Sequence, residues 1–388
     1  MDSDISIQLK QAKKLYDSHK YEESLDLYEN LFNENQDDFS RGDLISYCWA
    51  IYQIRVKNFT DVDELCDATE LITELVPQAD LNCNNTCPYT FSVMKVLDFL
   101  YSQKEYYNLS YWFDKLDSKL LDEKRNKYNG RFYRSRREKY YDYVSKSHLE
   151  CADWELCIEA CNEALNSLST FTNNSDTWYR WRIAKSLKEL NQNDEALEYL
   201  NEVVKVKMEW FVFKEFVENY HILNENENAL EYICNAILTN DPVNIKVNLY
   251  YLAYEVLDEL NMDIAFKHLE LFYLLKLESN AQIPEEIEDL MIDEDELDKN
   301  QLIGDINDYW NDFKFKDEEL HYGTVTKYFE DKNFGFITDN DNNSMFFHKN
   351  EFKGDNLYVG QAVSFYTEKS FDKSKNKESQ KAVLIRGE

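Results

Sequence analysis

The sequence predicts a mostly α-helical chain that ends in a small β domain, and three observations support this fold class. Apolar and small residues recur at helical spacing over residues 5–275, with few helix breakers. The first 300 residues contain two glycines and the last 85 contain six, as expected for helices followed by turn-rich strands. Between residues 323 and 348, aromatic residues recur at alternate positions, which is the period of a β-strand.

Charge divides the chain at the same place. The 388 residues carry a net charge of −32 at pH 7. Residues 321–388 hold ten Lys/Arg and ten Asp/Glu, so the other 33 basic and 65 acidic residues all lie in residues 1–320. General electrostatic attraction to nucleic acid is therefore excluded for the chain as a whole, and a nucleic-acid-binding module has to be a separate, neutral domain.

The first residues and the cysteines predict a cytoplasmic location. Residues 1–11 are acidic and lack the apolar segment of a secretory signal. No run of ~18 apolar residues, the length that spans a bilayer, occurs anywhere in the chain. Eight cysteines without an export signal are typical of reduced cytoplasmic thiols.

Small residues mark a repeat in the helical region. Ala196, Ala229 and Ala265 lie 33 and 36 residues apart, each followed four and seven positions later by mostly large apolar residues. Ala184 and Ala253 precede the first and third of these by twelve positions. Small residues let the two helices of a hairpin approach closely, while large ones fill the space to the next hairpin. The pattern resembles the tetratricopeptide repeat, with its period of ~34 residues, and implies a solenoid of about seven degenerate hairpins.

We therefore expect a tetratricopeptide-like helical solenoid over residues 1–275, an acidic linker with a helical segment over 276–320, and a β-barrel over 321–388. The linker contains the run PEEIEDLMIDEDELDK, residues 284–299, with nine acids. Two interpretations stay open: a solvated spacer, or an intramolecular decoy that competes with nucleic acid for cations. The segment INDYWNDF that follows is expected to pack on the end of the solenoid or on the barrel.

The alternating aromatics of residues 323–348 predict a surface for stacking. On a strand, residues i and i+2 share a face, so Ile337, Met345 and Phe347 are expected to point to a core. The rings on the opposite side would be exposed together, which is unfavourable unless nucleic-acid bases stack on them. The predicted stacking residues are Tyr328, Phe334, Phe336, Phe346 and His348.

Four ordered motifs in the last 66 residues or so resemble the cold-shock domain. The first two motifs are GTVTKYF (323–329), which matches G-x-V-K-W-F of the family, and KNFGF (332–336), which matches K-G-F-G-F. The other two are MFFHK (345–349), which matches V-F-V-H-F, and GQAVSF (360–365), which matches G-Q-x-V-S-F. The resemblance implies a five-stranded oligonucleotide-binding (OB) barrel that binds single-stranded RNA or DNA. Tyr328 replaces a Trp, Asn333 a Gly and Lys349 an aromatic, so weaker stacking is expected. Phosphate contacts are expected from Lys327 and Lys332, and Lys349 is a further candidate nucleic-acid-binding residue.

Two lysine- or arginine-rich segments add candidate phosphate contacts. Residues 370–381 hold Lys373, Lys375, Lys377 and Lys381, which either rim the aromatic surface or belong to a solvated hairpin loop. Residues 124–148 carry nine Lys/Arg interleaved with six Tyr/Phe. Three interpretations of this second segment stay open: a solenoid helix whose arginines pair with acidic neighbours, a secondary phosphate-contacting patch, or a docking site for an acidic protein segment. The arginines of the candidate patch are Arg131, Arg134, Arg136 and Arg137.

The sequence contains no recognisable catalytic or metal-binding motif. The six histidines are scattered, and no glycine-rich phosphate loop or GxSxG motif occurs. Cys83 and Cys87 lack a second pair that would complete a zinc site. We therefore predict a protein without enzymatic activity, cofactor or metal.

The leading hypothesis is an adaptor whose barrel binds single-stranded nucleic acid. Its solenoid would bind a protein partner or extend the nucleic-acid track. The alternative is a protein-interaction scaffold with a degenerate barrel. Helical repeats joined to a C-terminal cold-shock-like domain, with segments such as TWYRWRIAKSLKELNQNDEALEYL, are also similar to bacterial conflict or phage-defence proteins. That similarity implies a regulatory role in a defence system.

Overall fold

The computed structural model describes residues 3–83, 86–125, 127–291, 297–354, 356–372 and 377–388. These residues contain sixteen α-helices and eight β-strands, and the chain divides into two compact units, Met1–Lys207 and Met208–Glu388. The predicted fold class, tetratricopeptide-like helical hairpins followed by a five-stranded barrel, is confirmed.

The first unit is built from ten helices and one β-hairpin. Strands β1 (Lys127–Tyr128) and β2 (Arg131–Phe132) form the hairpin between α6 and α7. Successive helices pack in pairs, from α1 with α2 to α9 with α10. The helices are α1 (Ser3–Asp17), α2 (Tyr21–Asn35), α3 (Arg41–Ile51), α4 (Val62–Leu75), α5 (Pro88–Gln103), α6 (Tyr106–Phe113), α7 (Arg136–Glu150), α8 (Trp154–Ser167), α9 (Ser175–Glu189) and α10 (Asn193–Val204).

Small side chains lie where the paired helices meet. Ala196 of α10 is fully buried, as the repeat predicts. In the looser hairpins a small polar side chain takes this place and bonds to a carbonyl twelve residues earlier. Ser24 Oγ donates to the carbonyl of Ala12 at 2.8 Å, and Cys157 Sγ donates to that of Ser145 at 3.2 Å. The twelve-residue spacing therefore corresponds to direct contact between the two helices.

Asparagine replaces glycine in the turns between helices. Asn191, Asn224 and Asn261 each follow the end of a first helix with a positive φ, between 53° and 59°. This left-handed conformation favours glycine, and asparagine is among the few other residues that adopt it readily. The helical region can therefore form tight turns with very few glycines.

The second unit joins six helices to the barrel. Its helices are α11 (Trp210–Ile222), α12 (Asn226–Ile237), α13 (Val247–Glu259), α14 (Ala265–Glu278), α15 (Glu285–Glu288) and α16 (Lys299–Lys314). Its strands are β3 (His321–Phe329), β4 (Phe334–Asp339), β5 (Ser344–His348), β6 (Phe352–Lys353), β7 (Ala362–Asp372) and β8 (Lys377–Gly387). Of the acidic run, residues 292–296 lie outside the described residues.

Helix α16 contacts both the repeat helices and the barrel. It packs against α12 and α14, where Trp310 is fully buried. Just beyond its end, the ring of Phe315 stacks on Tyr366 of β7, with 4.6 Å between centroids. Arg386 and Asp312 add an ion pair at 3.5 Å. This part of the chain therefore packs on both of the predicted surfaces, the repeat helices and the barrel.

The barrel closes from five strands. Strands β5, β4, β3, β7 and β8 are neighbours in that order, and β5 then pairs in parallel with β8 through Phe346 and Lys381. The two-residue strand β6 adds to β8 in parallel. The barrel core consists of eight buried side chains: Val325, Ile337, Met345, Phe347, Val363, Phe365, Ala382 and Ile385. In the described part of the chain, all helices are too short or too polar to cross a membrane.

Candidate nucleic-acid interface

The register of β3, β4 and β5 places two rows of side chains on the outer surface of the barrel. Directly paired residues of an antiparallel sheet point to the same side. Phe334 pairs with Phe329 on β3 and with His348 on β5, which gives the first row. Phe336 pairs in the same way with Lys327 and Phe346, which gives the second row. We call the five rings of these rows, Phe329, Phe334, Phe336, Phe346 and His348, the aromatic face.

The rings of the aromatic face form one continuous cluster. Phe334 lies 5.5 Å from Phe346 and 5.0 Å from Phe329, measured between ring centroids. The rings of Phe336 and His348 are both edge-on to the ring of Phe346, at centroid distances of 5.9 Å and 4.7 Å. These separations are typical of favourable aromatic pairs. Because the rings support one another on a rigid sheet, the surface is preformed for stacking.

The inward side of the same strands is closely packed. Ile337, Met345 and Phe347 are buried, as the alternation predicts. Gly335 lies between the two rows on this inner side, and a Cβ atom there would lie 2.5 Å from the carbonyl oxygen of Lys327. It would lie equally close to the ring of Phe347. The glycine of the K-G-F-G-F-like motif therefore lets the core approach the sheet.

The structure does not bring Tyr328 into the aromatic face. Its ring packs against the barrel core, and its hydroxyl is buried without a hydrogen-bond partner among the described residues. A β-bulge between Val325 and Lys327 shifts the alternation of β3 by one residue. The bulge turns Phe329 outward in place of Tyr328, and it also places Lys327 on the surface.

Lysines surround the aromatic face, but acids lie among them. Lys332 and Lys349 are exposed in the turns that follow β3 and β5. The backbone N–H of Lys349 donates to the carbonyl of Asn333 at 2.9 Å, which joins these two turns. Glu330 and Asp331 are exposed in the turn that holds Lys332. The local charge is therefore mixed, and the grouped rings rather than charge are the main feature of this surface.

Lys381 is held in a network of carboxylates. Its Nζ lies 3.0 Å from Glu368 and 3.5 Å from Glu351. Burial opposes the charge on this lysine, but the two carboxylates outweigh burial and raise its pKa above the ordinary value. Of the other lysines predicted at the rim, Lys373 and Lys375 lie outside the described residues, and the side chain of Lys377 is not described.

A cavity of about 520 Å³ adjoins the aromatic face within the second unit. His348 lies at its edge, and Lys314 of α16 and Lys353 of β6 line it together with Lys381. The carboxylates of Asp241, Glu351 and Glu368 line the cavity as well, and Lys314 pairs with Glu368. No cluster of three His, Cys, Asp or Glu side chains suited to a metal occurs among the described residues.

The arginines of the second basic segment have different surroundings. Arg136 pairs with Asp122 at 2.8 Å, and Arg137 pairs with Glu123 and donates to three backbone carbonyls. Arg134 pairs with Asp142. Arg131 is exposed on β2 and has no ion pair with a described residue. The structure thus places Arg136 and Arg137 in structural contacts and leaves Arg131 accessible.

Comparison with protein families supports the barrel assignment. Residues 321–384 match the 'Cold-shock' DNA-binding domain. Residues 177–313 match a domain of unknown function, DUF7017. No curated protein matches the sequence. A cold-shock domain indicates nucleic-acid binding, and tetratricopeptide-like hairpins are typical of protein interaction.

Several solved structures are similar to the chain at low sequence identity. The apo form of RapI matches with 13% identity, over 80% of this chain and 87% of that one, with a TM-score of 0.44. The APC/C hetero-tetramer Cut9–Hcn1 matches with 13% identity and a TM-score of 0.38, over 71% of this chain but 47% of that one. YrrB, described as a TPR protein with an unusual peptide-binding site, matches with 16% identity and a TM-score of 0.34, over 54% and 90%.

Proposed function

We propose that this protein is a non-enzymatic adaptor whose C-terminal barrel binds single-stranded RNA or DNA. The observation that supports the proposal is the aromatic face, a cluster of five rings on the outside of a barrel that already has a complete core of its own. The five rings lie outside that core. They offer successive bases a set of surfaces on which to stack.

Stacking has to provide most of the binding energy. Base–aromatic stacking contributes ~1–3 kcal/mol per base. The exposed lysines beside the face are Lys327, Lys332 and Lys349, and the domain as a whole is neutral. Three phosphate contacts to a single strand predict that log K falls with log salt with a slope of about −2, which is a shallow dependence. Lys353 in the adjoining cavity would contact the phosphate next to the stacked bases, whereas Lys314 is already paired with Glu368.

The helical region is proposed to bind a protein partner. Residues 1–320 carry 65 acidic and 33 basic residues, which favours a basic partner. The same charge supports the second candidate function, an interaction scaffold whose barrel has lost nucleic-acid binding. A short lysine-rich peptide would then bind to wild type and to barrel variants equally, and single strands would bind to neither. The role in bacterial defence stays a prediction from sequence similarity.

The direct test is a titration of the full chain against fluorescent single-stranded RNA and DNA of roughly 20 nucleotides, longer than the ~4–16 that one OB fold covers. Phe334→Ala/Phe346→Ala removes two central rings, and we expect affinity to fall by roughly thirtyfold or more, since each ring contributes ~1–3 kcal/mol. Tyr107→Ala, which removes an exposed ring from α6, is the matched control. Equal affinity of wild type and the double variant would contradict the proposal.

A further inference from the structure

The β1–β2 hairpin of the first unit exposes aromatic rings that its own fold does not use. Tyr128, Phe132 and Tyr133 are 67%, 49% and 52% exposed. The turn between the strands is Asn129-Gly130, and both residues have positive φ, at 49° and 78°. This is the arrangement that a tight two-residue hairpin requires. The hairpin therefore has a defined turn that presents its rings to solvent.

Cations accompany these rings. The guanidinium of Arg125 lies 5.0 Å from the centroid of the Phe132 ring, and the Nζ of Lys127 lies 5.3 Å from it. Such cation–π contacts order the cations without neutralising them. Arg131 extends the group along β2. Of the three interpretations of this segment from the sequence, pairing with acidic neighbours holds for Arg134, Arg136 and Arg137. The cations that remain exposed belong to the hairpin and not to α7.

A groove of about 710 Å³ lies beside the hairpin. Three arginines line it, Arg125, Arg131 and Arg134, together with the rings of Phe132 and Tyr133. The described residues that line the groove include no carboxylate. This composition contrasts with the rest of residues 1–320, where acids outnumber bases by 65 to 33. The groove is therefore a positive site on an otherwise acidic region.

One wall of the groove is fixed by a buried ion pair. Arg134 pairs with Asp142 of α7, and Arg182 of α9 donates to the other oxygen of the same carboxylate at 2.7 Å. Asp142 and Arg182 are both buried. Arg134 thus keeps a fixed position at the groove while its side chain remains partly exposed.

A second wall of the groove is fixed by another buried carboxylate. Glu138 of α7 accepts hydrogen bonds from the backbone N–H and the hydroxyl of Thr172, both at 2.8 Å. It also accepts one from Ser175 Oγ at 2.6 Å. These bonds hold the turn that contributes Thr172 and Asn173 to the groove. Because α7 anchors both walls, little ordering is needed when a ligand binds.

We propose that this groove is a second binding site for single-stranded nucleic acid. Arg125 and Arg131 contact backbone phosphates through their planar guanidinium groups, and the exposed ring of Tyr133 stacks on a base. An acidic peptide would satisfy the arginines but would leave the exposed rings of Tyr128 and Tyr133 without a partner. A nucleic-acid strand offers phosphates to the arginines and bases to the rings. The inference goes beyond the function proposed for the barrel, and either can fail without the other.

The test compares four full-length proteins in a titration with the same fluorescent single-stranded RNA over a series of salt concentrations. They are wild type, Arg125→Gln/Arg131→Gln, Phe334→Ala/Phe346→Ala, and the combination. For the arginine pair we expect roughly tenfold weaker binding and a salt slope smaller by about 1.4, which corresponds to two lost phosphate contacts. Phe334→Ala/Phe346→Ala should leave the salt slope nearly unchanged. Lys10→Ala, at an exposed position on α1, controls for the loss of charge alone.

Two further measurements separate binding from folding and from charge. Arg125→Lys/Arg131→Lys keeps both charges and should largely retain the salt slope, whereas a misfolded hairpin would lose it. A short glutamate-rich peptide serves as the competing acidic ligand. An unchanged RNA affinity and slope in the Gln pair would overturn the inference, as would hairpin-dependent binding of the peptide without RNA binding. A loss in the arginine pair but not in the barrel variant would contradict the barrel proposal and support this one.

Discussion

The indole Nε1 of Trp310 donates a hydrogen bond to Nε2 of His268 at 2.9 Å, in the buried contact between α16 and α14. The other ring nitrogen of His268, Nδ1, lies 3.0 Å from the carbonyl oxygen of Ile264. A carbonyl only accepts, so Nδ1 carries the proton and Nε2 is the acceptor. The pair therefore requires a neutral imidazole. It fixes the helix that leads directly into the barrel.

Acid is expected to weaken this contact. Burial lowers the pKa of His268 from 6.5 to about 4. In the unfolded chain the imidazole takes up a proton near pH 6.5, whereas in the folded chain it stays neutral until about pH 4. The stabilisation is therefore complete above pH 6.5 and is lost as the pH falls towards 4, by about 3 kcal/mol. Denaturant unfolding of the full chain over this pH range measures the loss.

Carboxylates also titrate in this range, so the effect of His268 has to be taken as a difference. His268→Gln retains an amide oxygen that can accept from Trp310 but has no proton to gain. The free energy of unfolding of this variant should fall less steeply between pH 6.5 and 4 than that of wild type. Parallel curves for the two proteins would show that His268 does not couple folding to pH.

The outward position of Phe329 leads to a prediction that separates it from its neighbour. Phe329→Ala removes a ring of the aromatic face and should weaken single-strand binding by ~1–3 kcal/mol. Tyr328→Phe removes only a buried hydroxyl that has no hydrogen-bond partner among the residues that the structure describes. We expect it to leave affinity unchanged and to raise the free energy of unfolding by about 1 kcal/mol, because an unsatisfied buried group is removed. Weaker binding by Tyr328→Phe, with no change for Phe329→Ala, would mean that the two residues exchange places when nucleic acid binds.

This pair of residues also shows how far the sequence predicts the site. The alternation of β4 and β5 placed Phe334, Phe336, Phe346 and their inward neighbours without a structure. Strict alternation along β3 from the buried Val325 would have put Lys327 in the core. Because a lysine is rarely buried in a barrel core, this conflict was the signal in the sequence for a β-bulge. The strand period alone does not locate a bulge.

The basic segment shows a different limit. Composition left three interpretations of residues 124–148 open, because it could not show which arginines find acidic partners. The partners of Arg136 and Arg137, Asp122 and Glu123, precede the segment. The partner of Arg134, Asp142, follows it by eight residues. The Asn129-Gly130 dipeptide was a direct signal for a hairpin. Which arginines form ion pairs depends on tertiary structure, so the sequence alone could not show which of them stay accessible.

Asn333 tests whether departure from the cold-shock motif affects the turn. Its φ is 53°, in the left-handed region where the family has glycine. Asn333→Gly should change the free energy of unfolding by less than about 0.5 kcal/mol, whereas Asn333→Ala should lower it by about 1 kcal/mol. Thermal unfolding of the three proteins measures this. A loss in the Gly variant as large as that in the Ala variant would show that the Asn side chain, and not the backbone conformation, is what matters.

Asp142 is expected to be the most sensitive charged position of the first unit. Its carboxylate faces Arg182 at 2.7 Å, and both side chains are buried. Asp142→Asn would leave the guanidinium of Arg182 buried without a counter-charge, at a cost of about 3–5 kcal/mol. Arg134→Gln removes the partly exposed partner of the same carboxylate and should cost less than about 1 kcal/mol, because solvent screens that pair.

Denaturant unfolding of these two variants tests the contrast. If Asp142→Asn and Arg134→Gln destabilise the chain equally, the buried pair is not what holds α7 to α9. In that case the groove wall at Arg134 depends on the packing of α7 alone. A large loss restricted to Asp142→Asn would instead show that a buried ion pair supports the site, and that Arg134 can be substituted in binding experiments without unfolding the protein.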